Sequence, residues 1–302
     1  MSGSDQKEND LQLASMIMLI TGIVGVATNF YVIIRVRKLK IFNESFRTIC
    51  ISQLSANVGN AVTFGFIVTS ITFIDPSFHL TYIGQRCGQL LMFFWYPNLF
   101  SHLFASINRF CCIFFPIKYS TVFGKTPTSF MVGLAWAMGL LQALPYFHPD
   151  CIFQFDIETL GFVFGNTPCT PFIAFYLDLY FNLFFIVFIA SIDLVTLGKV
   201  RQYKKKAMLN QTEQNKRNKD IKLLFQVAIQ VSLSLLDFII YFVIPGNSDN
   251  KWVKFFTTTF CWMLLQTMDG MVVIFFNKEL RTINRASVSI SVDPPTNSHS
   301  NG

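Results

Sequence analysis

The sequence predicts an all-α membrane protein, a bundle of seven transmembrane helices, and three observations lead to this fold class. Of the 302 residues, 52% are hydrophobic and 14% are charged, whereas soluble domains usually carry about 25% charged residues. The chain also contains 35 phenylalanines. Seven long runs are almost free of charge, and each reaches the roughly 20 residues that a helix needs to cross the hydrocarbon core of a bilayer.

The seven runs follow one another with short polar connections between them. The first four contain no charged residue, and the last three are interrupted only by aspartate. Their ranges are 11–34, 48–74, 87–108, 126–147, 170–198, 223–248 and 255–277. Glycine and proline inside the runs are compatible with spanning helices, because membrane helices tolerate both.

The distribution of lysine and arginine predicts the orientation. With the N-terminus outside and the C-terminus inside, the basic residues fall in the inner loops, where cytoplasmic loops carry their excess of positive charge. Among the 24 Lys and Arg residues, the exceptions are Lys7, Arg86, Lys251 and Lys254. The net charge of +7 therefore indicates membrane topology and contact with anionic lipid, not nucleic-acid binding.

Three cysteines, Cys87, Cys151 and Cys169, fall on the predicted outer side, where disulfides form and persist. Cys87 begins the third helix, so a partner in the loop over 147–170 would hold that loop across the mouth of the bundle. We expect Cys169 to be this partner, because most of the loop can then cross the bundle before it is fixed. Cys151 is the alternative, since spacing alone does not determine connectivity.

A lone arginine closes the third run in the stretch SINRFCCIFFPIKY, residues 106–119. The stretch resembles the Asp-Arg-Tyr region of rhodopsin-like G-protein-coupled receptors and the loop that follows it. The matched positions are Asn108, Arg109, Phe110, Pro116 and Tyr119. The resemblance implies that they couple the bundle to a heterotrimeric G protein. Asn108 stands where that family has an acid, so we expect a weaker local restraint on Arg109 in the resting state.

A closer resemblance is to the nematode chemoreceptors called serpentine receptor class X. It is carried by the segments NESF (43–46), QLSAN (53–57), SFHLTYIGQRCGQ (77–89), SINRFC (106–111) and FYLD (175–178). This resemblance implies a plasma-membrane chemoreceptor that detects a small molecule, such as an odorant or another chemical cue, uses no cofactor and can act as a receptor dimer. The alternative is a seven-helix channel or transporter that is not coupled to a G protein.

The resemblance also divides the chain into segments. A short extracellular N-terminus (1–10) precedes the seven-helix receptor domain (11–285), which includes a cytoplasmic loop over 199–222. Residues 276–281, FNKELR, resemble the start of the short amphipathic eighth helix, which we expect near 277–285 along the inner leaflet. The cytoplasmic tail, 286–302, is predicted to be disordered.

A polar pair is expected in the core. The wider family places an aspartate in helix 2 opposite an asparagine in helix 7, and Asn57 and Asp269 exchange these roles here. A carboxylate and an amide would still form a hydrogen bond, in a place where an unpaired charge is costly. The alternative is two unrelated polar residues.

Acids within the membrane are candidates for function by default. Asp178 and Asp237 lie about 10 and 12 Å below the outer ends of their helices at 1.5 Å per residue, and Asn182 follows Asp178 on the same face. The predicted ligand pocket, in the outer half of the bundle, consists of Tyr96, Asn98, His102, Asp178, Asn182 and Asp237. Two acids favour a cationic or hydrogen-bonding ligand. The alternative role is polar packing between helices.

Enzyme chemistry has no support in the sequence. The four histidines are scattered, and there is no metal-ligand spacing, phosphate-binding loop or nucleophile elbow. The sequence therefore predicts a protein that is not an enzyme and has no metal site.

Overall fold

Seven helices that are long and apolar enough to cross a membrane make up most of the computed structural model, which describes residues 3–39, 43–206 and 211–281. The helices are α1 (Gly3–Lys38), α2 (Glu44–Ile74), α3 (Tyr82–Phe114), α4 (Lys125–Phe147), α5 (Phe172–Tyr180 continued by Phe181–Lys206), α6 (Gln211–Val243), α7 (Lys251–Phe276) and the short α8 (Lys278–Arg281). The predicted seven-helix fold is confirmed.

The distribution of polar side chains shows why this sequence needs a bilayer. Large apolar side chains such as Ile20, Phe130 and Phe184 are exposed on the outside of the bundle, while Asn29 and Asn57 are completely buried. In lipid, apolar side chains can face outwards, and polar side chains are placed between helices where they find partners.

Helix α3 occupies the centre of the bundle, in contact with α2, α4, α5 and α6, and α7 closes the ring against α1. In the apolar spanning stretch of α3, 67% of the residues are buried, against 22% in that of α6. Helices α1 and α2 approach closely at Gly22 and Gly65, where a Cβ on Gly22 would lie 2.5 Å from the Gly65 Cα. Only glycine allows the two backbones this contact.

A two-stranded antiparallel hairpin covers one end of the bundle, which we call the hairpin end. Strand β1 (Phe153–Asp156) pairs with β2 (Gly161–Phe164). The hairpin lies directly on α3, since a Cβ on Gly88 would be 1.9 Å from the Phe153 carbonyl oxygen. Two ion pairs fix its surroundings, Lys7 with Glu158 at the tip and Lys251 with Asp10 between α7 and α1.

Several segments differ from the sequence prediction. Helix α1 already begins at Gly3, within the predicted N-terminal segment. Much of the predicted loop 199–222 is helical, because α5 continues to Lys206 and α6 begins at Gln211. Helix α8 has four residues, Lys278–Arg281, and the rest of its predicted range and the tail 286–302 lie outside the described residues.

Candidate functional site

Arg109 forms a buried ion pair at the end of the bundle opposite the hairpin, which we call the Arg109 end. Its Nη2 donates to Asp193 Oδ1 on α5 at 3.0 Å and to Ser106 Oγ at 2.9 Å. Ser106 Oγ in turn donates to Asp193 Oδ2 at 3.0 Å. Arg109 is 6% exposed and Asp193 is 5% exposed. The carboxylate that the Asn-Arg-Phe triplet lacks is therefore supplied by another helix.

This pair leaves part of the guanidinium unused. Arg109 Nε and Nη1 are buried and have no hydrogen-bond partner among the described residues. Since an orphaned buried donor costs about 1–3 kcal/mol, the arginine would gain from an additional acceptor. Sequence reasoning missed Asp193 as the partner of Arg109, although its signal was present, a lone acid near the end of the apolar run 170–198.

Asn108 binds the connection between α3 and α4 rather than Arg109. Its Nδ2 donates to Tyr119 Oη at 3.0 Å, and Asn43 Nδ2 donates to the same oxygen at 2.8 Å. Burial raises the pKa of the Tyr119 hydroxyl, which stays neutral. Phe110 stacks on Phe114 with ring centroids 4.4 Å apart.

The matched motif residues thus have separate neighbours. Pro116 lies exposed in the turn after α3, next to the helical turn Tyr119–Val122. Of the five, Arg109 is the one that carries an ion pair to another spanning helix, while Asn108 and Tyr119 fix the geometry of the connection. Arg109 therefore provides the buried charge, while Asn108 and Tyr119 stabilise the connection that follows α3.

Asp269 on α7 accepts hydrogen bonds from the amides of two other helices. Asn57 Nδ2 donates to Oδ2 at 3.0 Å and Gln53 Nε2 to the same oxygen at 3.3 Å. Gln230 Nε2 on α6 donates to Oδ1 at 3.1 Å. Asn57 and Asp269 are thus in the contact that their exchanged roles predict. Three donors satisfy a carboxylate that would otherwise be costly to bury.

Asn98 and His102, which the sequence assigns to the predicted ligand pocket, belong to this Asp269 network and do not line the cavity described next. Asn98 Nδ2 donates to Asn57 Oδ1 at 2.8 Å, and His102 Nε2 lies 3.4 Å from Asp269 Oδ2. Both side chains point from α3 towards α2 and α7. This face of α3 differs from the one that faces the cavity, and the sequence alone does not distinguish the two faces.

A cavity of about 30 Å³ lies between α3, α5, α6 and α7, towards the hairpin end. It contains both acids that the sequence singled out, within walls that are mostly aromatic. The lining residues are Met92, Trp95, Asp178, Asp237, Phe238, Tyr241, Phe242 and Trp262. Sequence reasoning missed the aromatic residues, although Tyr241 follows Asp237 by one helical turn and so shares its face.

The remaining pocket candidates hold the wall of this cavity in place. Asn182 Nδ2 donates to Asp178 Oδ1 at 2.7 Å, while its Oδ1 accepts from Trp95 Nε1 at 2.9 Å. Tyr96 Oη donates to the Leu177 carbonyl at 3.0 Å. Asp178 is therefore already engaged by its own helix, and Tyr96 and Asn182 join α3 to α5 behind it.

The disulfide joins Cys151 with Cys169, and the predicted bond between Cys87 and Cys169 is wrong. The Cα atoms of the pair are 5.0 Å apart, because the two antiparallel strands of the hairpin lie between them in the chain and bring its ends together. Cys87 is a buried free thiol that packs in the core under the hairpin. The alternation in FQFD and GFVF was the signal for the two strands.

Comparisons with known proteins agree with this architecture. Residues 19–277 match the family model described as serpentine type 7TM GPCR chemoreceptor Srx. Two Caenorhabditis elegans proteins, serpentine receptor class X 45 and serpentine receptor class X-43, are 24% identical over 301 residues and 26% identical over 287 residues. These alignments cover 91% and 90% of this chain and 81% and 86% of the two relatives.

The crystal structure of squid rhodopsin has the same fold, with a TM-score of 0.66 over 91% of this chain and 84% of rhodopsin, at 18% identity. The named relatives are receptors rather than enzymes. Because the family model covers most of the seven helices, the chain belongs to the Srx family of serpentine seven-transmembrane G-protein-coupled chemoreceptors and is a multi-pass membrane protein.

Proposed function

We propose that this chemoreceptor binds a small chemical cue in the cavity at the hairpin end and activates the Gα subunit of a heterotrimeric G protein at the Arg109 end. The observation that carries the proposal is the position of two acids on α5. Asp178 lines the cavity, and Asp193 holds Arg109. One helix therefore connects the ligand cavity with the coupling site.

The two acids are fifteen positions apart, about 22 Å along a helix axis at 1.5 Å per residue. A ligand that displaces α5 at the cavity also moves Asp193 relative to Arg109. The ligand has to bind the displaced arrangement better than the closed one to shift the equilibrium between them. Once Asp193 withdraws, the guanidinium is free to engage an acceptor on Gα.

The charge distribution supports an inner location for the Arg109 end. Helix α1 finishes there with Arg35, Arg37 and Lys38, and basic residues near helix ends favour the cytoplasmic side. The hairpin end, which carries the disulfide between Cys151 and Cys169, would then face the oxidising exterior of the plasma membrane.

The test uses the full chain in lipid nanodiscs with purified heterotrimeric G protein. Nucleotide exchange on Gα is measured against a panel of volatile and water-soluble chemicals, with Arg109→Ala as the uncoupled variant at the same receptor concentration. We expect at least one chemical to accelerate exchange in the wild-type receptor and no acceleration with Arg109→Ala. A ligand-evoked ionic current that persists in Arg109→Ala and without G protein would overturn the proposal in favour of a channel.

A further inference from the structure

Two carboxylates on different helices line the same small cavity. Asp178 comes from the π-helical segment of α5, Phe172–Tyr180, and Asp237 comes from α6. We propose that this cavity takes a ligand with a protonated amine, and that Asp237 is the residue that binds the ammonium group. The inference rests on the proposed function, because it names the chemical class of the cue.

The hydrogen bonds around the two acids distinguish their roles. Asp178 Oδ1 accepts from Asn182 Nδ2 at 2.7 Å. Asp237 is 8% exposed, and its Oδ1 has no hydrogen-bond partner among the described residues. The Cys261 thiol lies beside this carboxylate, but a thiol is a weak donor. A buried polar atom without a partner is costly, and an N–H donor from a ligand would satisfy it. Asp237 therefore provides the open acceptor.

The aromatic walls favour a cation over other donors. Trp95 and Trp262 meet edge to face with ring centroids 5.6 Å apart, and Phe238 and Phe242 stand 4.7 Å apart on α6. Aromatic faces attract a desolvated cation through the negative charge density of the ring. An anionic ligand would instead be repelled by two carboxylates, and a neutral alcohol would gain neither the charge pairing nor the cation–π contact.

The size of the cavity connects ligand binding with movement. A volume of about 30 Å³ is large enough for water, while ligand pockets usually measure about 300–1,000 Å³. An amine with an apolar group must therefore push α5, α6 and α7 apart. The π-helical segment of α5, Phe172–Tyr180, contains the cavity residue Asp178, and the π-helical segment of α7, Phe256–Phe260, ends two residues before the cavity residue Trp262. Such segments are frequent at functional sites. The contracted cavity and the closed Arg109–Asp193 pair belong to the same state of the receptor.

The test compares three probes that share one apolar group: 2-phenylethylamine, 2-phenylethanol and 3-phenylpropanoate. Equilibrium binding to the full chain in nanodiscs is followed by tryptophan fluorescence and by the midpoint of thermal unfolding, so that neither readout requires a G protein. The variants are Asp237→Asn, which keeps the shape and removes the charge, Asp178→Asn, and Asp249→Asn as a control at an exposed acid.

We expect the amine to bind and the carboxylate not to bind, with the alcohol weaker by about 10- to 100-fold, the difference made by a charged hydrogen bond. Asp237→Asn should remove this preference for the amine, Asp178→Asn should reduce it less, and Asp249→Asn should leave it unchanged. Equal binding of amine and alcohol, or an amine preference that survives Asp237→Asn, would overturn the inference.

Basal nucleotide exchange on Gα separates this inference from the proposed function. If 2-phenylethylamine does not bind while Asp193→Asn still raises basal exchange, the ligand assignment is wrong and coupling at Arg109 stands. If the amine binds through Asp237 and no variant affects Gα, the cavity assignment stands and the coupling proposal falls.

Discussion

Arg109 on α3 and Asp193 on α5 form an ion pair whose Nη2 and Oδ1 atoms are 3.0 Å apart, with both side chains buried. The pair joins two helices at the end where coupling is proposed. Removing one member of a buried pair costs about 3–5 kcal/mol, because the other charge is left uncompensated. If the pair exists only in the closed state, that cost falls on the closed state alone.

Asp193→Asn should raise basal signalling. The substitution keeps the size of the side chain and an oxygen that can accept the hydrogen bond from Ser106 Oγ, but it removes the charge that holds Arg109. The amide oxygen can still accept from Arg109, so the closed state loses less than the full cost of a removed partner. A loss of about 1.4 kcal/mol already changes the ratio of closed to open receptor tenfold, so we expect basal nucleotide exchange on Gα to rise by at least this factor. Exchange is measured at matched receptor density.

Asn108→Asp is the matched control for this prediction. Asn108 donates to the Tyr119 hydroxyl at 3.0 Å and can accept from it at 3.4 Å. An aspartate at this position would lose the first of these contacts and keep the second, without replacing Asp193. We therefore expect a smaller change in basal exchange than for Asp193→Asn. A large fall in basal exchange with Asn108→Asp would show that the neighbouring acid restrains Arg109 after all.

Asn57 and Asp269 should tolerate a reciprocal exchange better than either single change. Asn57→Asp places a second carboxylate about one hydrogen-bond length from the first, and Asp269→Asn replaces the acceptor at which the amides of Gln53 and Gln230 converge. In the double variant, the carboxylate introduced at position 57 would still accept from Asn98, so we expect part of the stability and signalling to return. The measurements are the thermal unfolding midpoint and ligand-evoked exchange. A double variant no better than the worse single variant would contradict functional pairing.

The sequence predicted most reliably what depends on composition and on short motifs. Seven apolar runs indicate the seven helices, and the recognisable motif positions of helices 2 and 7 predict the contact between Asn57 and Asp269. Asn98 and His102 lie in the Asp269 network and not at the cavity, because a central helix such as α3 has neighbours on most sides and shows no clear apolar period from which its faces can be assigned. The sequence does not identify Asp193 as the partner of Arg109, because the two residues are far apart in the chain.

The segment between α4 and α5 is the least predictable part of the described chain. Its disulfide depends on a hairpin that brings Cys151 and Cys169 together, and the two strands have only four residues each. Strands this short carry a weak alternation signal, because their phenylalanines could equally belong to a loop. Cysteine spacing alone could not replace that information.

The disulfide between Cys151 and Cys169 should be essential for the stability of the hairpin end, and Cys87 should be dispensable. The bond closes a loop with a sequence separation of 18 residues, and a bond that closes about 15 residues contributes about 3 kcal/mol. Cys151→Ser and Cys169→Ser should each lower the unfolding midpoint, with no further loss in the double variant. Peptide mapping without reductant checks the connectivity, and a linked peptide that contains Cys87 would contradict it.

His79 should make the hairpin end sensitive to acid. The residue lies between α2 and α3, completely buried, with its Nε2 2.9 Å from Thr72 Oγ1 and its ring 5.1 Å from that of Phe155 in β1. Burial lowers the pKa of its imidazole from 6.5 to about 4, although the nearby Asp75 carboxylate opposes this shift. The folded state therefore favours neutral His79.

Because the pKa of His79 is lower in the folded state than in the unfolded state, its contribution to stability is complete above about pH 6.5 and is lost as the pH falls towards 4. The unfolding midpoint of the receptor in nanodiscs should decrease between pH 7 and pH 5, and His79→Gln should reduce this decrease. His148→Gln, at an exposed histidine, is the matched control and should follow the wild-type curve. If His79→Gln keeps the full decrease, the acid sensitivity comes from another group, and the hairpin end does not depend on a neutral His79.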